Sequence, residues 1–67
     1  SSNWLDRIQA GFAWAALVLD KSDLALGAIQ SVVDSNPNWA GASQTLAEIN
    51  ANLGEVTDAV IEATNVL

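Results

Sequence analysis

At 67 residues the chain is one domain at most, of a size where a single core is marginal, and the absence of cysteine and histidine denies it both a disulfide and a zinc site. Eight carboxylates stand against Arg7 and Lys21 for a net charge of -6, which argues against nucleic-acid partners and against attraction to anionic membranes. With 51% hydrophobic residues the composition is that of a packed helical protein and not of a disordered one.

Asn3 is a candidate N-cap, with Asp6 three residues on as the short form of a capping box, so a first helix starts near Trp4. From there an apolar ladder in three- and four-residue steps runs Leu5, Ile8, Phe12, Ala15, Leu19, Ser22, Leu26, Ile29, Val33, with Ser22 the only polar rung. The all-apolar run Ala10 to Leu19 is about half of the ~20 residues a membrane-spanning helix needs, so no span is expected. Gly11 and Gly27 each cost about 1 kcal/mol against alanine without forcing a stop. At Asp20-Lys21-Ser22-Asp23 a break is attractive, because Asp20 or Ser22 could cap a new helix; a solvated turn of one continuous helix is the alternative.

Asp34-Ser35-Asn36-Pro37-Asn38 is the strongest break. Proline pushes Asn36 out of helical geometry, and the pair reads as N-cap and first turn of the next helix. Beyond it a second ladder runs Trp39, Ala42, Leu46, Ile49, Leu53, Val56, Val60, Ala63, Leu67. Gly54 could close a helix there, yet Leu53 and Val56 stay in phase across it, which favours continuity. The expectation is an all-α single domain, residues 1–67: a helical hairpin with arm one over about 4–34, a turn at 35–38 and arm two over about 37–67. Breaks near both Asp20 and Gly54 would turn it into four short helices.

Leu5, Ile8, Phe12, Leu19, Leu26, Ile29 and Val33 of arm one are expected to pack within the chain against Trp39, Leu46, Ile49, Leu53, Val56 and Val60 of arm two. Two helices bury only their facing stripes. Arm one also carries Ala10, Trp14, Leu17, Val18, Leu24, Ala28 and Val32 to the side, and of these Trp14, Leu17, Val18, Leu24, Ala28 and Val32 are the candidate interface. In a compact four-helix fold Trp14 would instead be a core residue. Trp4 and Trp39 read as structural anchors at the open end and at the turn, and Glu48, Glu55 and Glu62, seven residues apart, as a solvated face.

A 34-residue internal comparison aligns Phe12 with Leu46, Ala13 with Ala47, Asp20 with Gly54 and Ala25 with Ala59. Together with Pro37 this resembles a pair of tetratricopeptide repeats, which implies a groove for a peptide or partner helix. Asp20 stands where that family has its turn glycine. Trp4-Leu5-Asp6, the turn Asp34 to Asn38 and Gln44-Thr45-Leu46-Ala47-Glu48-Ile49-Asn50 are similar to type III secretion needle subunits, which implies a filament-forming hairpin.

Catalytic chemistry has little to stand on: no serine or carboxylate has a partner at a recognisable spacing, the four glycines are scattered singly, and no cofactor or metal is implied. Ser22-Asp23-Leu24 reverses the order of the carrier-protein serine motif. Ser1 in place of methionine leaves export, maturation by proteolysis and a trimmed chain equally open, so localisation is not assigned. The leading expectation is a non-enzymatic structural subunit whose partners are copies of itself or other subunits of a filament or virion-like particle. The alternative is a tetratricopeptide-like interaction module.

Overall fold

The computed structural model describes residues 3–66, so Leu67, the last rung of the second ladder, lies outside them. Three helices follow in order: α1 (Trp4–Val18), α2 (Ser22–Ser35) and α3 (Ala40–Val66). The fold is all-α, but it is neither the two-armed hairpin nor the four-helix variant, because the chain breaks at Asp20 and runs unbroken through Gly54. α2 is central and packs on both neighbours, while α1 and α3 barely meet.

Asn3 caps α1 as expected, its side-chain oxygen accepting from the Asp6 amide at 2.9 Å with Asn3 itself extended. Asp6 does not close a reciprocal box; a carboxylate oxygen accepts instead from Asn36 Nδ2 at 2.9 Å, tying the start of α1 to the end of α2.

The break at Asp20 is a helix stop and not a helix start. The Lys21 amide donates to the Ala16 carbonyl at 2.8 Å and the Asp20 amide to Leu17 at 3.1 Å, the paired bonds of a Schellman cap. That geometry requires a left-handed residue, and Asp20 supplies it at φ 61°. α2 then begins at Ser22 after Lys21, whose side chain makes no capping bond. Neither Asp20 nor Ser22 is the N-cap that capping preference suggested, since Asp20 is committed to ending α1.

Asn36 likewise serves the helix behind it. Its side-chain amide donates to the Val32 carbonyl at 2.9 Å as well as to Asp6, so it is buried at the C-terminus of α2 and is not the N-cap of the next helix. Pro37 and Asn38 form the turn, the Trp39 amide closes on the Asn36 carbonyl at 3.0 Å, and α3 starts at Ala40. Trp39 folds back over Gly41, where an added Cβ would stand 3.1 Å from the indole nitrogen. The glycine permits that close approach.

Ala13, Ala16, Ala25, Ile29, Val32, Ala42 and Ile49 form the core, with Leu17, Leu26, Ala28, Val33, Trp39, Leu46 and Leu53 packed half-buried around it. Alanine dominates where α1 meets α2, which lets the two backbones approach closely but supplies little apolar area per residue. Gln9 reinforces this contact by donating to the Ala28 carbonyl and to Ser31 Oγ, both at 2.8 Å. Between α2 and α3, Ser22 donates to Asn52, and on α2 the side that carries Ser22 also carries Leu26, Ile29 and Val33.

The molecule is long for its mass. Its radius of gyration is 13.7 Å over extents of 49 × 20 × 13 Å, against about 11 Å for a compact chain of this length. The excess comes from α3, which outruns α2: Asn52 lies opposite Ser22, the first residue of α2, and residues 54–65 are all exposed beyond it.

Since aspartate is strained in the left-handed region relative to glycine, Asp20→Gly is expected to stabilise the chain by about 0.5–1 kcal/mol, read as a higher urea midpoint at unchanged slope.

Candidate functional site

Large apolar side chains lie exposed on α1, α2 and the end of α3. Leu5 (59% exposed), Ile8 (61%), Phe12 (57%) and Leu19 (70%) were expected to pack within the chain, and all four face outward. The reason is the turn at Asp20. It folds α2 back onto the Ala13 and Ala16 side of α1, and the ladder, lying largely on the other side of the helix, is left without a partner. Trp4 extends this outer face at its open end.

Val56 and Val60 also fail to pack within the chain. They continue the stripe of Ala42, Leu46, Ile49 and Leu53, but α2 has ended by the time they are reached. The remaining expected packing residues, Leu26, Ile29, Val33, Trp39, Leu46, Ile49 and Leu53, all lie in or against the core.

The residues assigned to an interface are divided by the structure. Trp14, Val18 and Leu24 are exposed, Leu17 and Ala28 are half-buried against the core, and Val32 is fully inside it at 1% exposure. Val32 belongs to the centre because α2 is covered on two sides and its face toward α1 includes Ala25 and Val32. The stronger candidate surface is the outer face of α1, where five large apolar side chains share one side of one helix. The hairpin reading missed it by treating residues 4–34 as one arm.

Polar groups are largely absorbed by the fold. Thr45, Thr57 and Thr64 donate to the carbonyls four residues back, at Gly41, Leu53 and Val60, with distances of 2.8–2.9 Å. No buried side-chain nitrogen or oxygen among the described residues lacks a partner. An open cleft of about 300 Å³ lies where α3 leaves α2, lined by Asp20, Ser22, Asp23, Asn52, Leu53 and Val56. Its lining holds the carboxylates of Asp20 and Asp23 and the Ser22 hydroxyl, whose proton is given to Asn52. Among the described residues no group of acidic, histidine or cysteine side chains could hold a metal ion, and no helix is long and apolar enough to cross a membrane.

Comparison with protein-family models, with curated proteins and with solved structures finds no match for this chain.

A helix of a dozen residues without tertiary contact is marginal in water. In dilute solution the amides of residues 58–65 are therefore expected to exchange at least about a hundredfold faster than those of Ile29 and Ile49, as measured by hydrogen exchange.

Proposed function

We propose that this chain is a non-enzymatic structural subunit that associates with copies of itself, within an assembly such as a secretion filament or a virus particle, through apolar helix faces. The observation that supports this is the outer face of α1: Trp4, Leu5, Ile8, Phe12 and Leu19 point to solvent on a helix whose inner side is buried by alanine. A helix that is apolar on both sides belongs inside something larger.

The magnitudes agree with that assignment. Covering the exposed part of each of these five side chains is worth about 1 kcal/mol. Their sum rivals the ~3–5 kcal/mol of net stability that a core in a chain this small supplies. Association would thus supply stability that the alanine-lined core does not.

A tetratricopeptide-like module that binds a peptide or partner helix is the second reading. It is supported by the α1–turn–α2 unit, in which Ala13 and Ala25 are both buried in the core, the turn proline follows α2, and a third helix packs on α2. It accounts less directly for the outer face of α1, which is a ridge of large side chains and not a groove.

Sedimentation equilibrium is expected to show a mass that rises above 7.0 kDa with concentration for the wild type and stays there for Phe12→Glu, whose far-UV spectrum should be unchanged because Phe12 is exposed. A wild type that remains a monomer at high concentration would remove self-assembly as the function, and the peptide-binding module would take its place.

A further inference from the structure

The geometry points to one occupant for the outer face of α1: the projecting end of α3 in a second copy, so that copies join head to tail through a contact that repeats the α2–α3 packing inside the chain. This pairing rests on the self-assembly proposed above and specifies which surfaces meet.

Inside the chain α3 offers Ala42, Leu46, Ile49 and Leu53 to α2. Moved back by 34 residues, this set becomes Ile8, Phe12, Ala15 and Leu19, the exposed side of α1. The receiving side of α2 is Ser22, Leu26 and Ile29. Moved forward by the same 34 residues, it becomes Val56, Val60 and Ala63, the exposed stripe on the end of α3. The chain therefore carries both halves of one helix–helix contact twice, once joined internally and once left open at opposite ends.

Two ladders built of the same three- and four-residue steps can be brought into coincidence at some offset, so matching apolar positions alone would mean little. The polar pair adds what periodicity does not. In the internal contact Ser22 donates to Asn52. Their counterparts at the open ends are Val56 and Val18, both exposed. A polar group opposite a valine would be left unsatisfied on burial, whereas replacing both members by apolar groups keeps the contact complementary.

Charge and length also fit. Glu55, Asp58 and Glu62 lie on the side of α3 opposite Val56 and Val60, so no carboxylate would be trapped in the contact. Residues 54–65 extend about 18 Å and the fifteen residues of α1 about 22 Å, so one segment spans most of the other. Two different surfaces meet in such a pairing, which makes it heterologous, so that it extends as an open row or closes as a ring according to the rotation between copies.

The test uses two charge variants of exposed residues, Ile8→Glu on α1 and Val60→Glu on the end of α3, each checked by far-UV circular dichroism. Each alone should associate at least about tenfold more weakly than the wild type. Mixed one to one they should form a heterodimer and stop, because one keeps an intact α3 end and the other an intact α1 face. If either variant loses helical signal, Phe12→Glu and Val56→Glu are the replacement pair. Val60→Glu associating like the wild type, or a mixture that stays monomeric, overturns the head-to-tail pairing while wild-type association leaves the proposed function standing. A monomeric wild type removes that function itself.

Discussion

The left-handed backbone at Asp20 determines the rest of the architecture, because it decides which side of α1 is used. With Asp20 at φ 61° and the Schellman bonds closed on Ala16 and Leu17, α2 returns against Ala13 and Ala16, and the contact is built from small residues. A straight helix through this point would have carried Leu5 to Val33 as one continuous stripe for α3 to cover. The turn separates that stripe into a part on α2 that is covered and a part on α1 that is not.

The uncovered part is what gives this protein its proposed role. Alanine against alanine brings two helices close without releasing much water from apolar surface, and the large side chains that could have done so face outward. A net charge of -6 keeps such a surface soluble and opposes its association, so the balance between the two is set by ionic strength as well as by concentration. Every buried side-chain nitrogen and oxygen among the described residues already has a hydrogen-bond partner.

Much of the helical content was legible in the sequence because its signals are local. The cap at Asn3, the turn around Pro37 and the passage of α3 through Gly54 follow from residue type and phase. The partner of each face is not local. Asn36 carries the signature of an N-cap, but its side chain is drawn to Val32 and Asp6, groups that only the folded α1–α2 pair brings near it. Asp20 resembles an N-cap for the same reason, since preference scales do not register that an aspartate can end the helix before it. Val32 was placed on an interface and Phe12 in the interior; their exchange follows from the single turn at Asp20, which no periodicity in a ladder can locate.

The central position of α2 has a kinetic side. Nearly all tertiary contacts join helices adjacent in the chain, and the first and last helices need not find each other. Such a topology closes short loops only, so the search for the native state is brief and runs in the microsecond-to-millisecond range known for helical bundles of low contact order. The α1–α2 pair can form from contacts within residues 4–35, and α3 then packs on an α2 already held in place.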